Sequence, residues 1–262
     1  MFSLREKDLP HITGNAQRVE LYARDVICPT GRPWIDELAA ATEQFAAVLV
    51  SAERNSAVLA SPVQACPGWD LRDLAVHLGR THRWTVGILE GADPRQRPQN
   101  QPEPEHLLSE WYAAEAETLR KELALAGPDA ACWTLVEDQR TALFWQRRQV
   151  HETLIHLWDA RHALGQRLQM DPALSFDGVA EVRDVMYPRM VRAERVAPLQ
   201  KNLAFSATDL DAEPIVIGDA EQTVEVHGPA PELLLLVWHR VPWRPTYGDH
   251  DAAELITQSL VP

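Results

Sequence analysis

The sequence predicts a mainly α-helical protein with a small α+β appendage, and three observations carry that expectation. From Pro33 to about Val196, apolar residues recur at three- and four-residue intervals, the period of helices that each bury one face. Clusters of proline, glycine and aspartate cut this stretch into five pieces of helical length. After about Pro198 the texture changes to short β-branched runs separated by Asp and Gly turns. The expected organisation is an N-terminal extension over residues 1–32, an up-down four-helix bundle domain over 33–198 and a C-terminal α/β domain over 199–262.

Residues before about Gly31 show no steady period and read as a tail, with a short strand expected near Val19–Tyr22. Pro33 suits a first helical position, and Trp34, Leu38, Phe45, Val48 and Leu49 give the first helix its apolar face. A loop with Pro62, Pro67 and Gly68 follows. Asp70 then caps a second helix running to about Glu90, with Asp73 in its first turn favourable to the helix dipole. The polar, proline-rich stretch from Asp93 to Pro104 reads as a surface loop. A third helix is expected from about Glu105 to Ala126, with Trp111, Ala114 and Leu119 inward, closed by Gly127-Pro128. A fourth runs from about Thr141 to Leu164 and stops at Gly165; a fifth spans Ser175 to about Val196. Leu203–Thr208, Pro214–Ile217 and Thr223–Val226 read as strands, and Glu232–Arg240 and Ala252–Leu260 as the closing helices.

Bulk properties exclude several functional classes. A formal net charge of −13 with no run of Lys and Arg argues against nucleic acid as a partner. The longest apolar stretch, Leu233 to Trp238, is far too short to cross a bilayer, and the first residues lack the apolar core of a signal peptide. Cys28, Cys66 and Cys132 are too few and too scattered for a disulfide framework, so a reducing cytoplasm is the expected setting.

The chemistry concentrates in Arg148–Asp159, where Glu152 and His156 stand four residues apart on one helical face. A carboxylate and an imidazole at that spacing can grip one divalent metal ion, and Asp159 can accept the ring N–H of His156 that the metal leaves unused. His77, inside the second helix, would complete a set of two histidines and one carboxylate. Three ligands leave an open position, the pattern of a catalytic rather than a structural zinc site, although iron(II), nickel or manganese also suits these donors. Alternatives remain at each position. His77 among leucines reads more readily, from that context alone, as a hydrogen-bonded core histidine, and Glu152 can be neutralised by Arg148 at i,i+4. His82 and His151 are rival ligands that spacing turns away from the metal face. Cys66, at a loop-to-helix junction, is a rival nucleophile that reads more simply as a small residue packing the turn. Trp69, Trp84, Trp145 and Trp158 recur among apolar positions and read as core fillers.

The segment Cys66-Pro-Gly-Trp-x-Leu-Arg-Asp-Leu-x-x-His77-Leu-Gly, followed by His82-Arg-Trp84, resembles the N-terminal domain of the mycothiol-dependent maleylpyruvate isomerase family, DinB-like metal-binding bundles found in actinobacteria. Arg147–Ala160 resembles the family's second metal segment. Ala207-Thr-Asp209, Val226-His-Gly228 and Leu233–Arg240 resemble its appended α/β domain. The resemblance covers roughly Trp34 to Arg240. It implies a metal triad of His77, Glu152 and His156, a divalent ion such as zinc, and mycothiol as cosubstrate. It also implies that Arg240 contacts a substrate carboxylate, for which the simpler reading is a helix-end arginine facing the negative dipole terminus. Family members often carry glycine where His239 stands.

Two functions follow from these expectations. One is an enzyme, a monomer or homodimer, in which a metal-bound low-molecular-weight thiol adds to a small electrophilic and acidic substrate, either as a cis-trans isomerase or as an S-transferase. The other is a non-catalytic metal- or thiol-binding sensor, favoured by the lack of a further acid or base beyond Glu152.

Overall fold

The computed structural model describes residues 31–103, 106–257 and 260–262. The strand expected near Val19, and nearly all of the N-terminal extension, lie outside them. The described residues fall into two compact units, one running to Leu168 and the other Gln169–Pro262.

The first unit is built on four long helices: α1 (Trp34–Ala52), α3 (Leu71–Leu89), α4 (Leu108–Ala126) and α5 (Ala142–Ala163), with a single-turn α2 (Ser56–Leu59) between the first two. Helices α1 and α3 each pack against both α4 and α5, which closes a bundle around Phe45, Leu49, Leu71, Leu74, Leu78, Tyr112 and Leu157. Asp70 caps α3 as expected and does so reciprocally. Its carboxylate accepts the Asp73 N–H at 2.9 Å, while the Asp73 carboxylate accepts the Asp70 N–H at 3.2 Å. The loop before it is held by a bridge between Pro62 and Asp70. The inward face of α4 is Tyr112, Ala116, Leu119 and Leu123, whereas Ala114 is exposed and Trp111 half-buried. Trp111 instead covers Gly79 of α3, where a Cβ would fall 2.4 Å from the indole ring. That glycine sets how closely α3 and α4 approach.

Helix α5 is buried on nearly every side, yet its buried side chains include Gln146, Arg148, Gln149, His151, Thr153, His156 and Asp159. Burying polar groups costs free energy unless each finds a partner, so a helix of this composition is organised for more than packing.

The second unit begins with α6 (Pro172–Glu181), a π-helical turn at Val182–Met186 and α7 (Tyr187–Arg192). The fifth helix expected from sequence is therefore interrupted. Pro188 has no N–H to donate to the carbonyl of Asp184, and the ladder widens so that the Tyr187 N–H reaches Val182. A three-stranded sheet follows, ordered β2-β1-β3, with β1 (Asn202–Ala207) antiparallel to β2 (Ile215–Ile217) and parallel to β3 (Thr223–Gly228). Then come α8 (Ala230–Val237) and α9 (His250–Ile256). Helix α6 packs on α8, which is why the division between units falls after Leu168 and not near Pro198.

Helix α8 ends three residues earlier than the leucine run suggested. His239 takes a left-handed conformation, φ 57°, its N–H bonding the Leu236 carbonyl while the Arg240 N–H bonds that of Leu235. This is the hydrogen-bond pattern of a glycine-type helix stop, executed here with a histidine. It gives a physical reason for glycine at this position in other sequences of this pattern.

Candidate metal centre

Helix α3 supplies His77, and α5 supplies Glu152 and His156 one turn apart. One ligand atom from each of the three lies within 4.8 Å of the other two. His77 Nε2 stands 3.2 Å from Glu152 Oε1, and His156 Nε2 stands 3.6 Å from the same oxygen. Two donors bound to zinc at about 2.1 Å and a tetrahedral angle are about 3.4 Å apart. These two separations straddle that value and the third pair lies within 4.8 Å, so the donor set is compatible with a small divalent cation. The imidazoles approach from different directions, their planes at 82° and centroids 5.1 Å apart.

Each donor is oriented by a neighbour. His156 Nδ1–H donates to Asp159 Oδ2 at 3.0 Å, a carboxylate whose side chain is fully buried, and this leaves Nε2 aimed at Glu152. Glu152 Oε2 accepts from Arg148 Nη2. The ion pair that competes with a metal in the sequence reading is thus formed, but it engages the other oxygen. Arg148 and the triad coexist. Trp69 lies against His77, ring centroids 4.9 Å apart, so one of the presumed core tryptophans walls the site.

Electrostatics follow from this packing. Burial opposes the charge on Glu152, but Arg148 and the two imidazoles outweigh it and hold the carboxyl well below the usual range. Burial likewise disfavours charged His156, yet hydrogen bonds to Asp159 and Glu152 raise its pKa to about 9. In the ion-free protein at neutral pH it is an imidazolium, and binding a cation must displace the Nε2 proton. His77 is the open side of the set: 36% of its side chain is exposed, against 15% for Glu152 and 11% for His156.

The rival histidines go elsewhere. His82 is fully buried, with Nε2 3.3 Å from Thr153 Oγ1, and burial pushes its pKa down to about 3. His151 is buried edge-on to Trp34 at 5.8 Å. Cys66 lies nearer the candidate site than a turn-packing role implies. A second group of donors, from Cys66, His156 and Asp159, also lies within 4.8 Å, so this thiol sits beside the His156–Asp159 pair. No spacing rule reveals that contact, because a loop residue and a helix far along the chain meet only through the tertiary fold.

Arg240 belongs to the other compact unit. Its Nη1 donates to the Trp238 carbonyl at 2.8 Å, and its guanidinium lies 5.7 Å from the Trp238 ring. That contact fits the helix-end role, with a terminal carbonyl of α8 satisfied by a cation.

The sequence profile described as mycothiol maleylpyruvate isomerase N-terminal domain matches residues 38–161, and that of the MDMPI C-terminal domain matches residues 173–255. The chain belongs to the mycothiol-dependent maleylpyruvate isomerase family. Its fold is that of solved structures of the same family. The crystal structure of the mycothiol-dependent maleylpyruvate isomerase superposes with a TM-score of 0.57 at 14% identity, covering 79% of this chain and 88% of that one. A mutant of that enzyme gives 0.55 at 13% identity, covering 78% and 86%. No curated protein matches by sequence. Both family segments are thus present in order, the first carrying all three candidate ligands and the second Arg240. No helix among the described residues is long and apolar enough to cross a membrane.

Proposed function

We propose that this family member is a metal- and mycothiol-dependent isomerase that activates the thiol for addition to a small, acidic, conjugated substrate. The observation that carries the reading is the convergence of His77 Nε2, Glu152 Oε1 and His156 Nε2 within 4.8 Å on the partly exposed side of α3. These residues would hold a divalent ion, with zinc the best fit to two imidazoles and a carboxylate. Such an ion supplies Lewis acidity, lowering the pKa of a bound thiol so that thiolate predominates near neutral pH. Asp159 fixes the His156 ring, Arg148 fixes the Glu152 carboxylate, and Trp69 shields one face of His77. Addition of thiolate to a conjugated double bond allows that bond to rotate before the thiol leaves, which gives cis-trans isomerisation. Retention of the adduct would give S-transfer instead. Arg240 is the candidate clamp for a substrate carboxylate through two parallel N–H bonds.

The test is metal content by elemental analysis together with mycothiol-dependent turnover of maleylpyruvate. About one ion per chain, lost in H77A, and turnover that needs both ion and thiol are expected. Arg240→Lys should raise KM for an acidic substrate while leaving ion binding unchanged. Bound metal without turnover of maleylpyruvate or of other small electrophiles would replace the enzyme reading with that of a metal- or thiol-binding sensor. Absence of bound metal, with thermal stability indifferent to chelator, would remove both.

A further inference from the structure

We infer that the chain carries a second, thiophilic cation site behind His156, formed by Cys66, His156 and Asp159. The two nitrogens of an imidazole point in opposite directions. Nε2 of His156 faces Glu152, whereas Nδ1 faces Asp159 at 3.0 Å, and the Cys66 donor lies within 4.8 Å of those of both His156 and Asp159. Sulfur, imidazole nitrogen and carboxylate oxygen form a mixed donor set that favours zinc and its softer congener cadmium over magnesium or calcium. A thiolate and an imidazole on one tetrahedral zinc are about 3.6 Å apart, so the loop needs to close by no more than about an ångström. The Cys66 loop is tied at both ends for this. Cys66 N–H bonds the Val63 carbonyl at 3.0 Å, and its own carbonyl accepts the Trp69 N–H at 3.0 Å. The site is neither a lone cysteine nor the triad described above: it shares only His156 with the triad and uses a residue on a different segment.

Filling it breaks the His156–Asp159 hydrogen bond. The Cys66 S–H and His156 Nδ1–H protons pass to solvent as the cation–sulfur and cation–nitrogen bonds form, with no change of oxidation state. Because Asp159 is the group that aims His156, occupancy here withdraws support from the triad. The rear site therefore acts as an inhibitory site for thiophilic ions. It stands whether or not the triad holds a metal.

The experiment uses full-length protein, titrated with cadmium chloride and followed by the ultraviolet thiolate-to-cadmium charge-transfer absorption. Wild type and H77A should both develop the band, and C66S should lose it with cadmium affinity at least about tenfold weaker. Circular dichroism checks that each variant is folded; should H77A not be, wild type against C66S decides alone. A band of undiminished size in C66S would assign the thiolate to another cysteine and overturn the site, as would no band in wild type. Zinc binding by wild type that vanishes entirely in C66S, while the Cys66-dependent band forms, would sink the triad and leave this site intact.

Discussion

Replacing Asp159 by Asn tests the candidate metal centre through the partner of one of its histidines. The substitution keeps side-chain volume, so the packing around a fully buried position is undisturbed. What changes is charge: the acceptor of the His156 Nδ1–H, 3.0 Å away, becomes a neutral amide. The buried carboxylate is one of two groups that raise the His156 pKa to about 9, a measure of how strongly it favours an electron-rich imidazole. Loss of such a partner typically weakens metal binding by about 10–100-fold. That range corresponds to about 1.4–2.8 kcal/mol. Competition for zinc against a chromophoric chelator at pH 7 and fixed ionic strength reads this directly. The zinc-induced rise in unfolding free energy at fixed excess ion should shrink by the same amount. A folded D159N protein that binds zinc within threefold of wild type would refute the reasoning that Asp159 orients a ligand.

Four further outcomes follow from the packing. The ion-free protein should be most stable near pH 6.5. His156, raised to about 9, contributes stability that is complete below its unfolded value and lost by pH 9; His82, lowered to about 3, contributes above its unfolded value and loses it in acid. The His156 part is about 3 kcal/mol, and urea titrations across pH in the presence of chelator would measure it. Glu152→Ala removes one partner of the buried Arg148 guanidinium and should destabilise the ion-free protein by about 1–3 kcal/mol in urea unfolding, with no measurable loss arguing against that pairing. His239→Gly relieves a left-handed residue at the end of α8 and should raise stability by about 1 kcal/mol in thermal unfolding. Gly79→Ala drives a methyl into Trp111 and should destabilise by about 1–3 kcal/mol, with indole fluorescence reporting the displaced ring.

The helices were legible wherever local chemistry sets their limits. Asp70 and Asp73 announced the start of α3, and Gly165, at φ 66°, the end of α5. The triad was legible because Glu152 and His156 share one turn, and the family motifs supplied His77. Three features were not. The unit division after Leu168 escaped because an apolar stripe on α6 has the same period whether it packs on a bundle or on α8. The π-turn before Pro188 escaped because a proline signals that the ladder must change but not how. Cys66 escaped because its partners on α5 are neighbours only in space.

The Arg148–Glu152 pair has a bearing on denticity. A glutamate free to rotate can chelate an ion through both oxygens, the mode hard cations such as calcium prefer, and that fills the coordination sphere. Here one oxygen is tethered within the same helix, so the carboxylate can offer only the other. An arginine outside the donor set would thereby keep the coordination number of a bound ion low and leave space for sulfur.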